Sequence, residues 1–228
     1  MSKVPFGGKE RIEQPNLEPG LYPARLVQII DLGLQPQRPY QGQAKAPAPE
    51  IQLTYELVDS FMVDKDGNDV TDKPRWVSET ITVNNLKADK AKSTQRYLAF
   101  DPNIKDGGDF VKQLGKPVNV NIINNKGKDG KVYDNVSAIA PMRPRDAERT
   151  PELVNPTKVF ELDNPNVEVF NSLPEWLRDK IKGNLNYEGS SLQKLVDGVS
   201  DKNAKPVNQE PAENKEDPPF DTDDNSPY

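Results

Sequence analysis

Between residues 20 and 140, apolar side chains recur at every second position in several short runs, the period of half-buried β-strands. Residues 21–34 (LYPARLVQIIDLGL) are rich in β-branched and apolar types and predict a long first strand, with Gly33 marking a bulge. Residues 50–61 alternate cleanly. Ile51, Leu53, Tyr55 and Leu57 share one face, and Gln52, Thr54 and Glu56 share the other. Residues 75–83 form a third run, with Val77, Ile81 and Val83 toward a core and Trp76, Ser78, Thr80 and Thr82 away from it. A final hairpin pairs residues 117–123 with 131–139 around a turn at 124–130. It sends Val118, Val120, Ile122, Val132 and Val136 inward, and Tyr133 outward. Residues 86–100 (LKADKAKSTQRYLAF) predict a helix stopped by Asp101-Pro102, and residues 109–114 a short second one ending at Gly115.

The connections complete the plan. Residues 35–49 (QPQRPYQGQAKAPAP) are a proline-rich loop, too long for a tight hairpin. Residues 64–69 (DKDGND) hint at a calcium loop, but glycine is fourth instead of sixth and no glutamate follows at the required distance, so a hairpin turn is expected. The fold class is mainly β (α+β). Five strands with a helix after the third match the plan of an OB-fold, a partly open Greek-key barrel, and a β-sandwich is the alternative. Residues 1–19 read as a polar arm and residues 20–145 as the barrel domain. Residues 146–198 carry short helical patterns with scarce strand signal, and read as a small helical extension. Residues 199–228 have nothing to build a core from and read as a disordered acidic tail.

Composition narrows the chemistry. The 228 residues include 22 prolines, no cysteine and no histidine. Disulfides, thiolate nucleophiles, imidazole bases and the commonest zinc ligands are therefore absent. No catalytic residue, metal site or cofactor is expected, although paired carboxylates could still do acid–base work. No glycine motif that cradles phosphate follows a strand, and Gly7-Gly8 and Gly107-Gly108 stand alone. No run of about 18 apolar residues predicts a membrane span, and the first residues lack an apolar signal segment.

The net charge of -6 is unevenly spread. Residues 20–145 hold 18 basic and 15 acidic side chains, net +3, whereas residues 201–228 hold 3 and 8, net -5. A mildly basic domain is thus tethered to an acidic peptide, so the acidic total does not exclude a polyanionic partner. In the domain, aromatic and basic residues cluster at Arg38 and Tyr40, Arg75 and Trp76, and Lys126, Lys128, Lys131 and Tyr133; Arg25 and Lys45 complete the candidate cations. Binding of a single strand needs cations along phosphates and flat rings under bases. Trp76 and Tyr133 fall out of phase with the core, while Tyr22 and Tyr55 suit core or edge packing. In the tail, Asp217, Phe220, Asp221, Asp223, Asp224, Pro227 and Tyr228 combine acids with aromatics, a pattern suited to a basic-rimmed apolar pocket on another protein.

That tail, with Asp223, Asp224, Pro227 and Tyr228, resembles the acidic ends of bacterial and phage single-stranded DNA-binding proteins, with tyrosine in place of phenylalanine and Asn225-Ser226 intervening. Residues 20–37 (GLYPARLVQIIDLGLQPQ) are similar to the opening of phage-encoded members of that class. The resemblance covers residues 15–140 and the tail, and leaves residues 146–198 unexplained. It implies single-stranded DNA as the ligand, replication or recombination proteins as partners of the tail, no membrane partner, and the cytoplasm of an infected bacterial host as the location. Homo-oligomerisation is left open. The rival readings are a phage structural or adaptor protein whose barrel binds only protein, and a carboxylate-dependent nuclease.

Overall fold

The computed structural model describes residues 12–198. Five strands carry the architecture: β1 (Gly20–Gln35), β2 (Ala48–Val63), β3 (Asp69–Thr82), β4 (Pro117–Lys126) and β5 (Val132–Ala140). They form a curled, open antiparallel sheet in the order β3-β2-β1-β4-β5, a half-barrel. The molecule is mainly β, as the alternation predicts.

The long first strand does two jobs because it is bent. Residues 20–25 pair with β4, and residues 24–35 pair with β2 on the other edge. Register shifts fall between Leu26 and Gln28 and between Asp31 and Gly33. The first moves the inward set from Ala24 and Leu26 to Ile29 instead of Gln28. The second is the bulge expected at Gly33, whose φ of +74° only glycine adopts without strain. A β-carbon there would also come within 2.7 Å of the Leu162 side chain. Inside the curl, Leu53, Tyr55 and Leu57 of β2 meet Val77 and Ile81 of β3 and Val118, Val120 and Ile122 of β4.

Helix α1 (Lys92–Phe100) lies between β3 and β4 and covers one end of the curl. It is shorter than the pattern predicts. At residues 85–91, backbone bonds from Ala88 to Asn85 and from Ala91 to Ala88 form two successive turns, and Asn85 Oδ1 accepts the Lys87 N–H, a local bond that competes with helix. Its Arg96 reaches the buried Glu79 of β3 at 2.8 Å and the Ser137 carbonyl of β5 at 3.2 Å. Tyr97 donates to Asp101, which ends the helix as the Asp-Pro pair predicts. The second predicted helix is a single 3-10 turn, Val111–Gln113.

β3 and β5 face each other across the open seam without a ladder. Arg75 and Asp134 bridge it at 3.2 Å, with both side chains largely buried. The N-terminal residues 12–19, expected to be a free arm, close the seam. Gln14 exchanges two hydrogen bonds with the Val63 backbone, Leu17 is buried in the core, and Asp134 accepts from Asn16 and from the Leu17 N–H. Asp134 occupies the inward row of β5, so that row turns polar before its end. Val132, expected in the core, instead lies beyond Asp134 opposite Lys126 and is 46% exposed.

The C-terminal part packs on the barrel domain, as expected of a helical extension to it, and also adds a strand to the sheet. A three-residue strand, β6 (Lys158–Phe160), pairs in parallel with residues 28–30 of β1, on the edge that β4 leaves vacant past Arg25. α3 (Val167–Asn171), α4 (Glu175–Lys182) and α5 (Ser191–Asp197) pack with it, and α2 (Pro144–Ala147) lies apart, beside Pro23 and Asn119. Phe160, Phe170, Leu177, Ile181 and Leu192 pack on Ile30 and Leu32 as a second apolar cluster. β1 is therefore buried on both faces. The tail residues Asp217, Phe220, Asp221, Asp223, Asp224, Pro227 and Tyr228, like residues 1–11, lie outside the described residues.

Candidate functional site

The ten candidate side chains of residues 20–145 fall into three places and not one. The first is the loop between β1 and β2. Within its proline-rich sequence it makes its own tight turn, which the length of the loop conceals. Tyr40 and Gln43 exchange backbone hydrogen bonds at 2.9 and 2.8 Å around Gln41 and Gly42, both at positive φ. That turn brings Lys45 over the Tyr40 ring, 4.8 Å from its centroid. Arg38 is exposed beside them in sequence.

The second group is on the central strand β1 and the seam strand β3, and here the expectations are corrected. Arg25 is buried, and four of its five N–H groups are engaged by the Pro151, Gly115 and Thr150 carbonyls and by Glu152. It fastens residues 150–152 to the sheet, with almost nothing left to offer a phosphate. Arg75 is committed to Asp134 and the Pro15 carbonyl. Trp76 is 43% exposed, as its phase predicts, but its indole N–H donates to Glu56 at 3.0 Å. Glu56 is buried on the outer face, and its carboxylate also accepts from the Val154 N–H and Asn155 Nδ2, each at 2.7 Å. Residues 150–155 thus lie on the outer face at Arg25 and Glu56, and residues 158–160 continue along the edge of β1. Gln52 and Thr54, which alternation puts on the face away from the core, are buried as well, as is Gln28, which the register shift turns outward.

The third place is the tip of the β4–β5 hairpin. Tyr133 is 47% exposed on the outer face, as predicted, and Lys126, Lys128 and Lys131 surround the turn. The ring is held in place. Its hydroxyl donates to Asp129 at 2.6 Å, and Gly127 sits so close that a β-carbon would come within 2.7 Å of the ring. That hydrogen bond raises the Tyr133 pKa and lowers that of Asp129. The 64–69 segment is the hairpin turn expected in preference to a cation loop. Asp64 Oδ1 accepts from the Asp66 and Asn68 backbone, and the Asn68 bond foremost holds its pKa down.

Sequence reasoning missed a fourth group. Arg143, Arg145 and Arg149 lie just before, within and just after α2, all exposed. Arg143 is paired with Asp146 at 2.6 Å. Arg149 borders a shallow groove floored by Pro23 of β1 and Asn119 of β4, with Met142, Asp59 and Asp146 also on its walls. Three arginines within seven residues directly after the last predicted strand were the signal that could have found it. Among the described residues, no three acidic side chains converge as a metal site would require, and no helix is long and apolar enough to cross a membrane. No protein-family model matches the chain, and no curated protein matches it either.

Proposed function

We propose that this chain is a non-enzymatic, phage-type single-stranded DNA-binding protein built on an OB-type barrel. The observation that carries the reading is the strand order β3-β2-β1-β4-β5 with α1 between β3 and β4, combined with exposed cations and aromatic rings in both the β1–β2 and β4–β5 connections. In an OB-fold those two connections flank the ligand. Tyr40 under Lys45 and Tyr133 among Lys126, Lys128 and Lys131 supply a ring and positive charge at each. A phosphate chain neutralised by such lysines releases counterions, so affinity falls with salt, and stacking on tyrosine rings tolerates any base. The residues of the acidic tail, ending at Tyr228, recruit replication or recombination proteins. They also compete for the cationic loops when DNA is absent, because a tethered anion has a high effective concentration.

The test is fluorescence anisotropy of labelled oligo-dT and of a duplex across a salt series. Binding of the single strand that weakens steadily with salt, and exceeds duplex binding, is the expected result. No single-strand binding at low salt overturns the reading. Removing residues 201–228 is expected to leave affinity for oligo-dT equal or higher.

A further inference from the structure

Resting on that reading, we infer that the DNA strand runs along the outer face of β4 and β5, from the hairpin tip to the arginines of α2, and not across β1 and β2. The β1–β2 half of the outer face is occupied. Residues 150–155 lie on it, Arg25 and Glu56 are consumed in holding them, and the buried Glu56 carboxylate would repel a phosphate beside Trp76.

The β4–β5 half is open, and its chemistry differs. Alternation and register place Asn119, Asn121, Ile123 and Asn125 of β4 outward, beside Tyr133, Asn135 and Ser137 of β5. Leu21, opposite Asn121 on β1, is 61% exposed, and Ile123 is 37% exposed. The face is thus a set of amides around two aliphatic side chains and one ring. Among the described residues of β4 and β5, the acids are Asp134, turned inward onto the arm and Arg75, and none on the outward positions. At one end stand Lys126, Lys128 and Lys131. At the other, the groove lined by Asn119 and Pro23 leads to Arg149, two residues past α2, with Arg145 within that helix and Asp59 and Asp146 also on the groove walls. From Asn119 to Asn125 the face is about 20 Å long at roughly 3.4 Å per residue. Charge at both ends with an uncharged, partly apolar middle fits a flexible polyanion whose bases lie against the centre and whose phosphates meet cations at either end. Amides there can bond any base edge, which agrees with weak sequence preference.

The experiment compares three double charge reversals in the full chain: Lys128→Glu with Lys131→Glu, Arg145→Glu with Arg149→Glu, and Arg38→Glu with Lys45→Glu. Each is read by oligo-dT anisotropy at low salt, with urea unfolding midpoints to confirm that the fold is kept. The first two are expected to weaken binding at least tenfold and to flatten the salt dependence, and the third to weaken it less than either. Tyr133→Leu is expected to cost about tenfold, while Tyr133→Phe, which keeps the ring, stays within about twofold. If the parent binds but the hairpin and α2 reversals leave affinity within about twofold while the loop reversal abolishes it, the path is overturned and the single-strand reading stands. If the parent does not bind oligo-dT, the reading itself falls, and the path with it.

Discussion

The two halves of one sheet present opposite outer faces. On β1 and β2, the outward polar residues Gln28, Gln52, Thr54 and Glu56 are buried, and Glu56 is held by residues 154 and 155. On β4 and β5, the equivalent positions, from Asn119 to Asn125 and from Tyr133 to Ser137, remain at the surface or close to it. Both halves have the same inward apolar row and the same period. The difference lies in what the outer residues are asked to bond. Glu56 and Arg25 find backbone partners in the covering segment, so their burial is compensated. The outward asparagines of β4, Asn119, Asn121 and Asn125, stay partly exposed, and Asn121 donates to Ser137 of the same hairpin. A polar row in a strand pattern therefore marks a face that is not core, without saying whether water or another segment covers it.

The sharpest way to break this contrast is to remove an anchor of the covering layer. Phe160 on β6 is 1% exposed and packs on Phe170 at 5.7 Å between ring centroids. Phe160→Ala is expected to cost about 3–5 kcal/mol in urea unfolding. A loss under about 1 kcal/mol would mean that the layer is peripheral. Next comes Arg25→Met, which keeps a similar side-chain volume and strands the Thr150, Pro151 and Gly115 carbonyls. The expected loss is about 2–3 kcal/mol, since each buried unsatisfied acceptor costs about 1–3 kcal/mol and partial rehydration recovers some of it. If Arg25 served the ligand instead, the same change would lower DNA affinity while leaving the midpoint unmoved.

The strand half of the fold was readable because each inward row is long and each interruption is a glycine, a proline or an Asx turn. Leu53, Tyr55 and Leu57, and Val118, Val120 and Ile122, lie where their spacing puts them. What could not be read depends on contacts distant in sequence. β6 has only three residues and exists because β1 has a vacant edge past Arg25. Val132 fails as a core residue because its neighbour Asp134 is claimed by Asn16, Leu17, Asn124 and Arg75, three of them from outside its own hairpin. The candidate site divides in the same way. Tyr133 and the hairpin lysines were legible from phase and turn composition. The burial of Arg25 was not legible, because a cation in a strand reads as exposed until its carbonyl partners, about 125 residues away in the chain, are known.

A smaller effect sharpens the covered half through pH. Tyr187, packed against the helices of the second cluster, has its pKa pushed up to about 12, first by burial and then by its hydrogen bond to Asp197. A group whose folded pKa lies above its unfolded value, about 10 for tyrosine, stabilises the fold fully below pH 10 and loses that contribution as pH rises through about 12. Tyr187→Phe removes the titration. Its difference in unfolding midpoint from the parent is therefore expected to shrink between about pH 10 and 12. A constant difference across that window would show that the hydroxyl does not stabilise the covering helices.

The smallest expected change in stability belongs to the open half, and it discriminates best because it separates stability from binding. Leu21 and Ile123 are aliphatic side chains standing in water on the outer face. Leu21 is 61% exposed and Ile123 37%, so exchanging both for serine removes only partly buried contacts, and urea unfolding is expected to move by no more than about 1 kcal/mol. A loss of 2 kcal/mol or more would mean that these residues are core by another route, and the contrast between the halves would be void. With the fold unmoved, oligo-dT anisotropy then asks why the aliphatic groups are exposed. If bases lie against them, the double substitution weakens binding several-fold at every salt concentration and leaves the salt slope unchanged, because no phosphate contact is lost. A change in slope without a change in affinity at high salt would assign these positions to the backbone path instead. The same substitution in β2, at inward Leu53 and Leu57, would unfold the protein, and that asymmetry is the physical content of calling one face of the sheet a core and the other a surface.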